Sequence, residues 1–327
     1  MKEEKQHCKI CGSLDSSFVL ETSGVDILSS TMCTLRKCSS CGVFFLGVSH
    51  IANERKKVDR EEFYQEKQSV LHKLFLFYLG LLMELRARKI ERVKKAGDIL
   101  DVGCGSAWFL KAMQRRGWDC YGVDFSANAI ASAKKGNDLT LFCDGFEEAP
   151  LAQGSFDAIT FWQSFEHMPD PKKTLEKAHT LLRDSGVLFI SVPNVESIEA
   201  RMGLTCWFGF ELPRHKFLFS KKTLTRALEE SGFTVRSLAM NSLEYNMPMF
   251  MMSFFNCIGG ESNFLYNYLR RNSYFSAPLL RRAYTIAAIA LLFPFVVSAS
   301  IALIPINILL GTGSVIEVFA LKSGKEV

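Results

Sequence analysis

The stretch "ILDVGCGSAWFL", residues 99–110, decides how the chain is read. An apolar run ends in Asp101, and Gly103 and Gly105 follow two residues apart. Apolar residues, then closely spaced glycines, then an amphipathic segment form the pattern of a strand turning sharply into a helix. The same alternation continues downstream. "SAWFLKAMQRRG" reads as a helix stopped by Gly117, "WDCYGVDFS" as a strand ending at Asp124, and "ANAIASAKKG" as the next helix. "LTLFCDGF" and "FDAITFWQSFEHM" supply the third and fourth strands. A helix from Pro171 to Gly186 and the strand "VLFISVPN" follow. A further helix has Ser220 as its N-cap and precedes the strand "FTVRSLAM". Strands alternating with helices at these lengths predict an α/β fold, a doubly wound parallel sheet with helices on both faces. "GSVIEVFALKS", residues 313–323, completes it as a seventh, antiparallel strand beside the sixth.

The glycine turn restricts the ligand. A dinucleotide fingerprint G-x-G-x-x-G needs a third glycine at position 108, where Trp108 stands, and no G-K-[ST] follows for a phosphate loop. An aspartate at the strand tip repels a pyrophosphate but suits the ammonium and sulfonium of S-adenosylmethionine. Asp124 lies nineteen residues beyond Gly105 at the next strand tip, where a carboxylate accepts hydrogen bonds from ribose hydroxyls.

On these residues the chain resembles the class I S-adenosylmethionine-dependent methyltransferases, over roughly residues 95–240 and the final strand. "DVGCGSAWFL" is similar to the family's acidic residue and G-x-G-x-G, except that Ala107 replaces the last glycine. The resemblance implies a Rossmann-like seven-stranded sheet and a cofactor site of Asp101, Gly103, Gly105, Asp124, Phe125, Asp144, Gly145, Phe146 and Gln163. Asp124 would hold the ribose, and Phe125, Asp144, Gly145 and Phe146 would approach the adenine. "RHKFLFSKKTLTRALEESGF" resembles a block found in bacterial members that carry an N-terminal cysteine ribbon. The implied reaction is methyl transfer to a small or lipid-linked acceptor, at oxygen in the first instance, in cell-envelope glycan, lipid or secondary-metabolite synthesis. Sugar C-methylation and a non-catalytic cofactor-binding scaffold at a membrane are the alternatives.

The loop after the fourth strand presents Gln163, Glu166 and His167, and the segment before the Ser220-capped helix presents Arg214 and His215. His167 and His215 are the candidate general bases, each weighed against a packing or loop-anchoring role; Arg214 is a candidate partner for an acceptor phosphate or carboxylate. Cys104 and Cys120 read as small core residues.

Upstream, "CKICGS" and "CSSCGV" place Cys8, Cys11, Cys38 and Cys41 in two C-x-x-C knuckles, each followed by glycine. Two knuckles offer four tetrahedral thiolate ligands and no open position, which predicts a structural zinc; reduced, metal-free thiols are the other reading. His7 and Cys33 are spare candidates. Net charge is +5, with basic and acidic residues interspersed, which argues against a nucleic-acid partner. The charged opening residues lack the apolar core of a secretory signal, so a cytoplasmic location is expected, or the inner face of the cytoplasmic membrane.

No charged residue occurs from Ala283 to Ile316. A run this long is able to enter a bilayer, and Pro294 and Pro305 suggest two short helices in a hairpin rather than one span. Peripheral membrane association through residues 284–311 as a monotopic anchor and a helical cap or homodimer interface are the competing expectations, with a full transmembrane crossing as the third. "LHKLFLFYLGLLMELRARKIERVKK" reads as an amphipathic helix before the sheet and a further membrane contact. The expected organisation is a zinc-ribbon-like module at 1–50, a helical lead-in at 51–94, and a methyltransferase domain at 95–327 carrying an apolar helical insertion at 241–312.

Overall fold

The computed structural model describes residues 7–23, 32–50, 70–134, 139–203, 205–240, 242, 244–259, 263–265 and 279–323. The lead-in expected over 51–69 lies outside them. In chain order the elements are β1 (Ser16–Ser23), β2 (Met32–Cys38), β3 (Phe44–His50), α1 (Val70–Glu91), β4 (Asp98–Val102), α2 (Trp108–Gln114) and β5 (Asp119–Val123). Next come α3 (Ala127–Lys134), β6 (Thr140–Phe142), β7 (Phe156–Trp162), α4 (Pro171–Leu181), β8 (Leu182–Pro193), α5 (Ile198–Met202) and β9 (Phe217–Leu218). The chain ends with α6 (Lys221–Glu230), β10 (Phe233–Ala239), α7 (Asn246–Gly259), α8 (Leu279–Leu310) and β11 (Val315–Lys322). Two compact units result. One comprises Asp59–Ser191, Thr225–Leu238 and Val318–Val327; the other comprises Met1–Val58, Val192–Leu224 and Ala239–Glu317.

The first unit is built on a seven-stranded sheet of order β10-β11-β8-β7-β4-β5-β6. β4 pairs in parallel with β5 and β7, β5 with β6, and β7 with β8. β11 runs the other way: Lys322 near its end donates from Nζ to the Leu182 carbonyl at the start of β8, at 2.8 Å. Ser323 N–H likewise donates to Gly232 O at 2.9 Å, so the end of β11 lies beside the beginning of β10. Ile99, Leu100 and Val102 are all buried, as expected of a strand covered on both faces. Helix α4 turns Thr174, Leu175, Ala178 and Leu181 inward, the i, i+3, i+4 spacing of a one-sided helix. Asp170 caps it by accepting from Lys173 N–H, with Pro171 in the first turn. The core joins Ile99, Leu110, Met113, Trp118, Trp162 and Phe189 to the inner face of α1 at Met83, Ala87 and Ile90. Each such large side chain contributes about 1.5–3 kcal/mol on burial.

Helix α4 stops at Leu181, not at Gly186 as the sequence suggested. Leu182 already pairs with Phe156, while Val187 pairs with Ala158. The four residues 183–186 of β8 therefore stand opposite Asp157 alone, an excess of three that forms a bulge imposed by pairing with β7.

The second unit contains the sheet β1-β2-β3-β9, antiparallel throughout. Its fourth strand comes from far along the chain: Phe44 pairs with Leu218 and Phe45 with Phe217. The "RHKFLFS" block thus supplies the last strand of the sheet that follows the cysteine knuckles. Cys33 and Leu35 form a core there with Trp207, Phe210, Leu212 and Leu218. Ser220 caps α6 as expected, in a reciprocal box in which Thr223 N–H reaches Ser220 Oγ and Ser220 N–H reaches Thr223 Oγ1.

In the apolar insertion, α8 is one helix of 32 residues and contains both Pro294 and Pro305, where two short helices were expected. Each proline deletes a single backbone donor, and the rest of the ladder holds the helix together. Phe250, Met251 and Phe255 of α7 pack with Val296 of α8, flanked by Ile289, Leu292 and Leu303.

Candidate functional site

Four loops at the carboxyl ends of adjacent strands β7, β4, β5 and β6 carry Gln163, Gly103 with Gly105, Asp124, and Asp144 respectively. The residues carried over from the resemblance thus line one edge of the parallel sheet, where open α/β sheets bind ligands.

Gly103 occupies the left-handed region at φ 78°, and an added Cβ would fall 2.6 Å from Ser164 Cβ. Ser164 is itself pinned, its Oγ donating to Val102 O at 2.6 Å. The turn can pass this point only without a side chain. Ala107, where the family has glycine, also sits in the left-handed region, at φ 56° and ψ 29°. The departure in sequence therefore leaves the backbone shape intact at a strain of about 1–2 kcal/mol. Gln163 is left-handed as well, at φ 52°, with its N–H donating to Ser191 O and its Nε2 to Ser191 Oγ. Strained non-glycine residues tend to cluster where a ligand must be approached closely.

Asp124 ties the two tips together. Its Oδ2 accepts from Gly105 N–H at 2.9 Å and its Oδ1 from Ser126 N–H at 2.8 Å. A carboxylate has about four acceptor sites, so each oxygen keeps capacity for a ribose hydroxyl. Beside it Phe125 is 82% exposed, a bare phenyl face at the sheet edge. Phe146 differs from Phe125: it is buried, edge-on to Phe161 at 5.8 Å, with the Lys177 ammonium 5.3 Å from its ring. It underlies the loop rather than offering a free face. Asp144 is exposed and Gly145 half-buried.

Asp101 is 4% exposed and accepts from Thr160 Oγ1 at 2.7 Å. Loss of water around the carboxylate pushes its pKa up to about 7; the Thr160 bond and the charge of Arg86 work against that rise, and Asp124 adds to it. Arg86 lies 4.6 Å from the Trp162 ring, on the inner side of α1. Sequence reasoning missed Thr160, Ser164 and Arg86, whose roles depend on pairing between distant strands and helices. Cys104 and Cys120 are buried thiols; burial pushes the first well above the ordinary thiol range and the second up to about 12, which leaves both inert as nucleophiles.

His167 is half-buried in a short 3-10 turn, Phe165–His167, its N–H donating to Ser164 O. His215 belongs to the other unit. It is buried, its Nδ1 lies 2.7 Å from Gly209 O, and its Nε2 is 3.6 Å from Glu211. Burial pulls its pKa down to about 4, so it is neutral at pH 7 and donates from Nδ1 to the carbonyl. This is the arrangement of a loop anchor. Arg214 pairs with Glu211 at 2.5 Å.

The four cysteines converge as the spacing required: the sulfurs of Cys8, Cys11, Cys38 and Cys41 all lie within 4.8 Å of one another. Cys8 and Cys41 approach to 3.6 Å, as do Cys11 and Cys38. A tetrahedron with Zn–S of 2.3 Å has edges of about 3.8 Å, so the cage fits zinc. The two knuckles repeat one hydrogen-bond pattern. Gly12 N–H bonds Cys8 O and Gly42 N–H bonds Cys38 O; Cys8 N–H bonds Ser13 O and Cys38 N–H bonds Val43 O. Gly12 and Gly42 both have positive φ, 74° and 81°. The Cys41 thiol and the backbone amides of Cys11 and Ile10 pull Cys8 down to about 5, favouring its thiolate. His7 bonds Gly12 O, and Cys33 lies in the core described above.

A family model described as a methyltransferase domain matches residues 70–238, more than half of the chain. The chain belongs to the class I S-adenosylmethionine-dependent methyltransferase family. A ubiquinone biosynthesis O-methyltransferase of Coxiella burnetii is 31% identical over 123 residues, covering 36% of this chain and 53% of that protein. One of the same name from Idiomarina loihiensis is 26% identical over 160 residues, covering 45% and 65%. The chain thus spans about half to two thirds of the length of these curated relatives. Among solved structures, a SAM dependent methyltransferase from Archaeoglobus fulgidus is similar with TM-score 0.47 and 18% identity, covering 76% of this chain and 99% of that one.

Proposed function

We propose that this chain transfers a methyl group from S-adenosylmethionine to a hydroxyl oxygen of a small or lipid-linked acceptor, with a structural zinc in the cysteine cage. The observation that carries the reading is the row of Gln163, Gly103–Gly105 and Asp124 along one sheet edge, with no room for a side chain at Gly103 beside Ser164. The names of the curated relatives favour oxygen as the accepting atom. The dispersed charge favours a small or lipid-linked acceptor over nucleic acid.

Bound S-adenosylmethionine supplies an electrophilic methyl on a sulfonium. Asp124 would hold the ribose and Phe125 the adenine, while Asp101 would face the cationic amino acid portion and Gly103 and Gly105 would let the cofactor approach the backbone. His167, on the loop after β7, is the proposed base. It would take the proton of the acceptor hydroxyl as that oxygen receives the methyl group, and pass it on to solvent. His215 would act by anchoring its own loop.

The test has two stages. Mass spectrometry of lipid and glycan extracts with and without the gene should reveal an acceptor heavier by one methylene. With that acceptor, His167→Gln should bind donor normally in calorimetry and lose about 10²–10⁴-fold in turnover. Unchanged turnover would exclude His167 as the base, and no donor binding by the wild type would overturn the whole reading.

A further inference from the structure

We propose that α8 is embedded in a lipid bilayer without crossing it, holding the protein on one membrane face. The helix has length enough for a span: Arg282–Leu310 is 29 residues of apolar helix, most of it not buried against the protein. One stripe of it is occupied. Thr285, Ile289, Leu292, Val296, Ser300, Leu303 and Asn307, at steps of three and four, are buried or packed in the cluster with α7. The remaining faces present Tyr284, Leu291, Phe295, Ile301, Ile308 and Leu309, all exposed.

The polar groups identify the occupant. Ser298, on the exposed side, donates back to Pro294 O at 2.9 Å, and Ser300 donates to Val297 O at 2.7 Å. Asn307 is met by Thr312, whose N–H bonds Asn307 O and whose Oγ1 bonds Asn307 Oδ1. These side chains are satisfied within the helix and its last turn. A protein partner of ordinary composition brings about one hydrogen bond per 100–200 Å², for which this face offers few outward partners. Hydrocarbon requires internal satisfaction of this kind. Absence of charge from Ala283 to Ile316 points the same way.

Chain topology then excludes a single crossing. Residues 240–314 join β10 to β11, which are neighbours in one sheet, so the segment must cross a bilayer an even number of times or not at all. Among the described residues α8 is the one helix long and apolar enough to cross. Helix α7 has 14 residues, a rise of about 21 Å against a hydrocarbon core of about 30 Å. The charge-free run containing it, Tyr245–Gly260 between Glu244 and Glu261, spans 16 residues. With no second span among the described residues, and Glu261, Arg270 and Arg271 interrupting the sequence between α7 and α8, α8 enters and leaves through the same face.

The experiment uses the full chain and sealed vesicles of phosphatidylcholine, a neutral lipid. The protein should float with the vesicles and stay bound in 1 M salt (about a 3 Å screening length). Trypsin added outside should yield a fragment beginning at Ala283 without vesicle lysis. The double variant Leu291→Glu/Phe295→Glu alters two side chains that are 71% and 69% exposed. It should keep its thermal melt and donor affinity and lose at least tenfold in vesicle partition. Four results would overturn the proposal: failure to float, release by salt, cleavage after Arg282 only once vesicles are broken, or a detergent-free soluble dimer that the double variant dissociates. The donor-affinity readout separates this test from the proposed reaction, because wild-type protein that floats but binds no donor would refute only the latter.

Discussion

Gly103→Ala tests the glycine turn directly. The new side chain meets two obstacles. Left-handed φ costs a non-glycine residue about 1–2 kcal/mol. The added Cβ lands 2.6 Å from Ser164 Cβ, and overpacking of this kind costs about 1–3 kcal/mol more. Ser164 resists displacement because its Oγ bonds Val102 O at 2.6 Å. The sum is about 2–5 kcal/mol against the sheet unit, read as a lower midpoint in urea unfolding followed by tryptophan fluorescence, with donor affinity measured by calorimetry. Ser164→Gly alone should cost about 1 kcal/mol through its lost hydrogen bond. Combined with Gly103→Ala it should recover the overpacking part, a coupling of about 1–3 kcal/mol. A Gly103→Ala penalty below about 1 kcal/mol, or strict additivity in the double variant, would refute the steric argument.

Asp124→Ala should weaken donor binding by about 1–3 kcal/mol and also lower the melting temperature, because Gly105 and Ser126 N–H lose their acceptor; unchanged calorimetry on folded protein would count against the ribose assignment. Asp101, raised to about 7 from an ordinary 3.8, weakens the unliganded fold progressively as pH climbs from about 4 through 7, since the unfolded chain ionises first. A cationic donor moiety opposes that rise, so binding near neutral pH should release a proton and tighten from pH 6 to 8, with Asp101→Asn flattening the dependence; calorimetry in buffers of different ionisation enthalpy detects the proton. Metal analysis should find about one zinc per chain, and Cys8→Ser or Cys41→Ser should lower it while leaving donor binding largely intact; a stable metal-free wild type would refute the cage.

The sequence by itself determined the local physics. Apolar runs leading to Asp101 and Asp124 specify buried strands, the Gly103–Gly105 spacing specifies a tight turn, and two C-x-x-C-G knuckles specify two matching thiolate turns. These signals are legible because each acts within a few residues. Tertiary structure decided the rest. The bulge at 183–186 arises from the register of β8 against β7, and Ser164 matters only because β7 lies beside β4. In the sequence His215 is a candidate base or acceptor ligand weighed against a loop anchor; its burial and its bond to the Gly209 carbonyl, which favour the anchor, are encoded by no local pattern. In the insertion, the prolines signalled a break between two helices. The structure keeps one helix, because a single missing donor costs less than abandoning a long ladder packed against α7. Strand β9 has only two residues, too few to leave a period, and it exists because β3 presents an open edge for it.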